Sequence, residues 1–176
     1  GLTKLVMLML GHNKLHGTLS EMIGDLPNLM SLHLGSCGLH GTLPSSLAML
    51  QDSLKYIDIA DNQFTGVFPS EQLLGAKSSL ISAELGNNPW TPGPLPSGIF
   101  HETMEHFDVA FSNREGTIPQ QVHNMKNLQT LRMQGNSLTG TIPYQMEDLL
   151  SLQYIDLANN QLSGVVDLCD LVLRLG

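Results

Sequence analysis

The chain has 176 residues, 41% of them hydrophobic and 14% charged, which suits one folded domain and excludes long disorder. Aromatic residues make up only 5%, so leucine, isoleucine and methionine must build the core. A net charge of −8 with eight basic residues excludes a nucleic-acid partner, and the longest apolar run, the six residues from Leu5 to Leu10, is too short to insert into a membrane.

Taken in chain order, one template recurs. Its copies start at Leu5, Leu29, Leu54, Leu80, Met104, Leu128 and Leu152, with gaps of 24, 25, 26, 24, 24 and 24 residues. Each reads L-x-x-L-x-L-x-x-N-x-L-x-G-x-I-P with small variations. The alternating L-x-L predicts a short strand with its leucines on one face. A coil of about 24 residues cannot bury its leucines alone, so neighbours must stack.

After each strand, Asn13, Asn62, Asn88, Asn136 and Asn160 recur where the chain turns away, with Cys37 and Ser112 in the same column. A buried amide carries donors and an acceptor, so this column is expected to form a structural ladder satisfying the backbone of the turn. Cys37 is therefore read as structural. It lies in a repeat distant from Cys169, so the two are not expected to pair. Gly17, Gly41, Gly66, Gly93, Gly116, Gly140 and Gly164 form a second column, read as backbone needing unusual dihedrals or close approach. Pro44, Pro69, Pro96, Pro119 and Pro143 follow, with Ser20 and Asp167 as exceptions.

These residues resemble the plant-type leucine-rich repeat. "LTGTIP" at 138–143 and "GTIPQQV" from Gly116 carry the L-x-G-x-I-P tail that marks that subclass. The resemblance covers essentially the whole chain. It implies an α/β repeat fold: a right-handed solenoid with a concave parallel β-sheet and short 3₁₀ or helical turns on the convex side. The family's members are mostly receptor ectodomains, enzyme inhibitors and adaptors. The chain is read as one domain of seven repeats, a fragment without caps, belonging to a larger chain or complex. The tail Leu168, Leu171, Val172, Leu173 and Leu175 is read as the start of an eighth coil or a cap.

The copies differ at defined places. The path after Pro69, through "SEQLLGAKSS", is two residues longer than the usual spacing and predicts an extra helical turn. The fourth copy holds "NNPWTPGPLP", with the only tryptophan. Trp90 falls in a leucine slot, either as a core plug or as a protruding interface anchor. In the fifth copy Arg114 replaces an inward leucine. Burying an unpaired arginine is costly, so the loop is expected to shift outward, with Asn113 entering the ladder and Phe111 left exposed. Trp90, Phe111 and Arg114 are thus candidate interface residues.

Three columns should face outward from the concave strands. One runs Met9, His33, Asp58, Glu84, Asp108, Arg132, Asp156; a parallel one runs Met7, Ser31, Tyr56, Ser82, His106, Thr130, Tyr154. The third, Gly11, Gly35, Ala60, Gly86, Ala110, Gln134, Ala158, is small and is expected to leave the sheet open to a partner. Strands about 4.8 Å apart bring column neighbours into contact. Asp58, Glu84 and Asp108 then make a negative stripe, and Arg132 between Asp108 and Asp156 a short ion-pair ladder. The candidate binding residues are His33, Tyr56, Asp58, Glu84, His106, Asp108, Arg132, Tyr154 and Asp156.

His33 beside Asp58, or His106 beside Asp108, lacks metal-ligand spacing, and no nucleophile motif appears; no metal, cofactor or enzymatic activity is expected. The leading expectation is a non-enzymatic module binding a protein or peptide, or else a glycan, on its concave face; an inhibitor of the polygalacturonase-inhibitor kind would share that geometry. The competing reading is an assembly subunit docked through its ends, its convex side and the Trp90 loop. An extracellular or cell-surface setting is favoured over an organellar complex. The lack of any Asn-x-Ser/Thr site leans the other way.

Overall fold

The computed structural model describes residues 1–70, 73–75 and 78–165. Asp167, Cys169 and the 168–175 tail, expected to begin an eighth coil or a cap, lie outside them.

Each repeat forms one coil of a solenoid, in which a strand crosses one face and the chain returns around the other. Met7–Met9, Ser31–His33, Tyr56–Asp58, Ser82–Glu84, His106–Asp108, Thr130–Arg132 and Tyr154–Asp156 pair in sequence order as a seven-stranded parallel sheet. Coil partners stay in step along the whole sheet: Met9 faces His33, His33 faces Asp58, Asp58 faces Glu84, Glu84 faces Asp108, and Arg132 lies between Asp108 and Asp156. Two smaller parallel sheets follow the ladder, one of His40–Gly41 with Gln63–Phe64 and one running from Gly93–Pro94 to Gln161–Leu162. The return path carries short 3₁₀ helices at Glu21–Asp25, Ser45–Leu50, Ser97–Ile99, Gln120–Asn124 and Tyr144–Asp148. The expected leucine-rich repeat solenoid is what forms.

The central strand residues Leu32, Ile57, Ala83, Phe107 and Leu131 are at most 1% exposed, so the core is a continuous stack between the faces. Their counterparts in the outer coils, Leu8 and Ile155, are only partly buried. Pro44, Pro96, Pro119 and Pro143 stand at the N-caps of their 3₁₀ helices with φ between −67° and −61°, the value the ring imposes. In the first coil Ser20 takes that place by other means, its hydroxyl accepting from Met22 N at 3.2 Å. The glycine column bears out its dihedral reading with one exception. Six of the seven have positive φ, while Gly93, next to the prolines of the fourth coil, does not. At Gly140, with φ +75°, a Cβ would also meet Thr117 Cγ2 at 2.9 Å.

The ladder forms through direct bonds. Asn62 Nδ2 donates to Leu34 O, Ile59 O and Ala60 O at 2.9–3.0 Å, and its Oδ1 accepts from Cys37 N at 3.2 Å and Leu39 N at 2.9 Å. Asn88, Asn136 and Asn160 repeat the pattern one coil apart. Asn13, in the first coil, donates to Leu10 O at 3.0 Å. Cys37 is buried and unpaired, its Sγ donating to Leu10 O at 3.0 Å.

Two local expectations are corrected. Arg114 does not push its loop outward; it is 2% exposed. Its guanidinium donates to Ser112 O at 2.8 Å and to Thr91 O, and lies 4.8 Å from the Phe68 ring centroid. Backbone carbonyls and an aromatic face therefore replace the missing carboxylate, although burial still lowers the guanidinium pKa to about 10. Asn113 does not enter the ladder. Ser112 keeps that position, donating to Val109 O, while Asn113 Nδ2 reaches back to Trp90 O at 3.0 Å. After Pro69, where an extra helical turn is expected, residues 71–72 and 76–77 lie outside the described ones; Leu73 N donates to Pro69 O at 3.2 Å, and Leu73 and Leu74 insert into the core.

Candidate functional site

The column residues of the concave face are ordered by short-range bonding. Asp58, Asp108 and Asp156 each turn Oδ1 onto the backbone N–H two residues on, at Ala60 (3.0 Å), Ala110 (2.8 Å) and Ala158 (3.0 Å). Aspartate does this because its short side chain reaches that amide in a turn. The acids of this column are thus partly structural, fixing the exit from the strand.

Those bonds also determine where the carboxylates lie. A Cβ on Gly35 would come within 2.6 Å of both Asp58 oxygens, and one on Gly86 within 2.9 Å of Asp108 Oδ1. The small column, expected to leave the sheet open to a partner, is therefore open only in part. At Gly35 and Gly86 it is occupied by aspartates of the next coil. One residue beyond that column, at Gly135, the Phe111 ring covers the backbone, 2.2 Å from where a Cβ would stand.

Glu84 differs from its neighbours. It is exposed, and no hydrogen bond is made by its carboxylate among the described residues. Its pKa is raised, first by desolvation on the packed sheet and then by the charges of Asp58 and Asp108. Asp108 is also raised, by burial, against the opposing effects of the Ala110 amide and Arg132. Arg132 Nη1 lies 3.6 Å from Asp108 Oδ2, and its guanidinium carbon 5.2 Å from the Tyr154 ring centroid. The expected ladder from Asp108 through Arg132 to Asp156 is only half formed, because Tyr154 takes the second side of Arg132 and Ala158 N takes Asp156.

His33 Nε2 lies 2.9 Å from Ser31 Oγ, with Asp58 on the adjoining strand. This does not form a catalytic relay. Ser31 is 4% exposed and Asp58 is bonded to Ala60 N. Among the described residues, no three His, Cys, Asp or Glu side chains are placed to hold a metal ion.

Between the third and seventh coils the concave surface deepens into an open groove of about 370 Å³. Asp61, Glu84 and Asp108 supply its acids, Phe111 and Tyr154 its aromatic walls, and Asn87, Arg132 and Gln134 its remaining polar groups. Of the candidate binding residues, the groove gathers Glu84, Asp108, Arg132 and Tyr154. His33, Tyr56, Asp58, His106 and Asp156 lie on the same sheet outside it. Asp61 and Gln134 were not singled out from sequence. The available signal was their place in the turn and small columns, where polar side chains look ordinary.

Phe111, 50% exposed, stays a surface residue as expected. Trp90 and Arg114 do not. Trp90 is 1% exposed, stacked on Phe64 at 6.2 Å and 7°, edge-on to Phe68, with Nε1 donating to Leu85 O at 3.1 Å. The tryptophan fills the leucine slot as a core plug and its indole N–H finds a carbonyl, so neither residue can anchor a partner.

The Leucine Rich Repeat family model matches residues 28–50, 53–71, 127–149 and 151–171. The chain is similar to the ectodomain of the Arabidopsis thaliana receptor kinase GASSHO1/SCHENGEN3, solved with CASPARIAN STRIP INTEGRITY FACTOR 2, at 28% identity and a TM-score of 0.89, over 96% of this chain and 20% of that one. It is similar to the Arabidopsis receptor kinase HAESA, solved with the peptide hormone IDA and the co-receptor SERK1, at 28% identity and a TM-score of 0.86, over 93% and 27%. A plant ice-binding protein is also similar, at 26% identity and a TM-score of 0.69, over 94% and 60%. The chain thus spans about a fifth to a quarter of the length of the two receptor ectodomains. No curated protein sequence matches it. One fold serves unlike functions among these structures, so function has to be argued from the site.

Proposed function

We propose, from the premise that the chain is a plant-type leucine-rich repeat protein similar to receptor ectodomains, that its concave sheet recognises a peptide or protein partner. The observation that carries this reading is the groove of about 370 Å³, lined by Glu84, Asp108, Arg132 and two exposed aromatics on a sheet whose backbone is fixed by the ladder. A rigid surface keeps ordering costs low on binding, and aromatic and arginine side chains are the usual anchors of an interface. The integrity factor, the peptide hormone and the co-receptor solved with the similar receptors fit this class of partner. The same comparison supports an extracellular setting. No helix among the described residues is long and apolar enough to cross a membrane.

The chain acts by binding and carries out no chemistry of its own. The docked assembly-subunit reading is not favoured, since the Trp90 loop on which it relied turns its aromatic inward. The test is benzophenone placed either at Thr130 on the concave sheet or at Tyr144 on the return path, with crosslinked species from a secreted-peptide fraction identified by mass spectrometry. Crosslinks at Thr130 that disappear in D58K/E84K/D108K, with the circular dichroism spectrum intact, are the expected result. Crosslinks confined to Tyr144, or unchanged by the charge reversal, would remove the concave face from consideration.

A further inference from the structure

Resting on the concave-face reading, the chemistry of the groove narrows what its occupant carries. Three carboxylates line it against one cation, and that cation is committed, Arg132 lying 3.6 Å from Asp108 with its guanidinium over Tyr154. Asp61 Oδ2 accepts from Ser36 Oγ at 3.4 Å, and Asp108 is bonded to Ala110 N. Glu84 has no hydrogen-bonding or ion-pair partner among the described residues. A second acceptor also lacks a donor: Gln134 Oε1, on the groove lining, is shielded from solvent and unpartnered among the described residues.

The groove wall is equally specific. The residue preceding the ladder position has a left-handed backbone in all seven coils and is His12, Ser36, Asp61, Asn87, Phe111, Gly135 and Asn159 in turn. Six are glycine or polar residues, most of them short, which suits that conformation. A phenylalanine at φ +49° is the exception, and half of it remains exposed on the groove that Glu84 also lines. A negative charge without a partner, an acceptor without a donor and an exposed ring together match one kind of side chain.

We propose that this groove takes a lysine or arginine side chain from an extended peptide, its cationic head paired with Glu84 and its aliphatic stem against Phe111. The head supplies N–H donors to Glu84 and to the Gln134 amide, and the ring face favours a cation as well as a methylene stem. The raised Glu84 pKa agrees, since a cation would offset the effect of Asp58 and Asp108. Compact ammonium and planar guanidinium share this chemistry, and the panel below ranks them.

The experiment uses labelled octapeptides with one central arginine, lysine, citrulline or norleucine in an otherwise neutral extended sequence, titrated against the whole chain by fluorescence anisotropy. Arginine and lysine peptides are expected to bind about tenfold tighter than citrulline and norleucine, and E84Q should erase that difference. F111A should weaken the basic peptides while leaving their salt dependence in place. Equal binding of arginine and citrulline, a preference that survives E84Q, or no charge-dependent binding up to about 1 mM, a floor of about −4 kcal/mol, would each overturn the proposal. T130W, which obstructs the sheet beside the groove, separates the two readings. If it abolishes binding while E84Q leaves the peptide preference intact, the concave surface stands and the basic occupant falls. If peptides still bind to T130W, both fall.

Discussion

Removing the Asn62 side chain should be among the most damaging single changes in this molecule, and the hydrogen bonds say by how much. Asn62 is 7% exposed and makes five of them. N62A leaves the amides of Cys37 and Leu39 without an acceptor; a buried orphan N–H costs about 1–3 kcal/mol, so the pair alone costs about 2–6 kcal/mol. N62D is the sharper probe because it keeps shape and acceptor while placing an oxygen against three carbonyls. At neutral pH it should be less stable than N62A. Burial among acceptors raises the pKa of such an aspartate, so its folded state binds a proton that the unfolded state has released. Stability is then lost as pH rises through the window and recovered on acidification. Urea denaturation at several pH values gives the stabilities, and hydrogen exchange at Cys37 and Leu39 locates the loss. A cost below about 1 kcal/mol for N62A, or an N62D variant indifferent to pH, would refute the view that this amide holds adjacent coils together.

Glu84 gives a linked prediction with opposite value for stability and binding. Its folded pKa is raised, so ionisation removes stability as pH climbs from about 4.5 through the folded value. E84Q escapes that loss, so thermal melts should show the variant gaining on the parent toward neutral pH. The gain stays below about 1 kcal/mol because the carboxylate is exposed and screened; no gain, or one that grows on acidification, would contradict the electrostatic account. At Gly135, a Cβ meets both a left-handed backbone at φ +69° and the Phe111 ring at 2.2 Å. G135A should therefore cost about 2–3 kcal/mol in the parent and only about 1 kcal/mol in an F111A background, where the strain of the left-handed backbone alone remains. Equal costs in the two backgrounds would mean that ring and glycine are not coupled.

Periodicity made the solenoid legible. A leucine pattern recurring at nearly constant spacing leaves one economical way to bury its apolar face, and with it come the strand register, the asparagine ladder and the identity of the concave columns. Glycine dihedrals followed for the same reason, with Gly93 departing where the sequence itself is irregular. The proline N-caps and their Ser20 substitute are also local, since φ and one side-chain bond decide them. These features depend on each coil seeing a neighbour like itself.

What sequence could not decide are the choices made between unlike neighbours. Arg114 reads as a misplaced charge until Thr91, Ser112 and Phe68 from adjoining turns surround its guanidinium, and Ser112 then holds the ladder place that Asn113 was expected to take. Trp90 reads first as a plug in the leucine slot and second as an anchor; the Phe64 and Phe68 rings and the Leu85 carbonyl decide for the plug. The small column of the concave sheet looked vacant in one dimension, but neighbouring aspartates fill it at Gly35 and Gly86. The groove itself draws on Asp61, Glu84, Phe111, Gln134 and Tyr154 from five coils. A repeat pattern determines the backbone because backbone bonds recur at fixed spacing; the chemistry of the surface depends on which side chain leans across to which partner, and only the packed coils decide that.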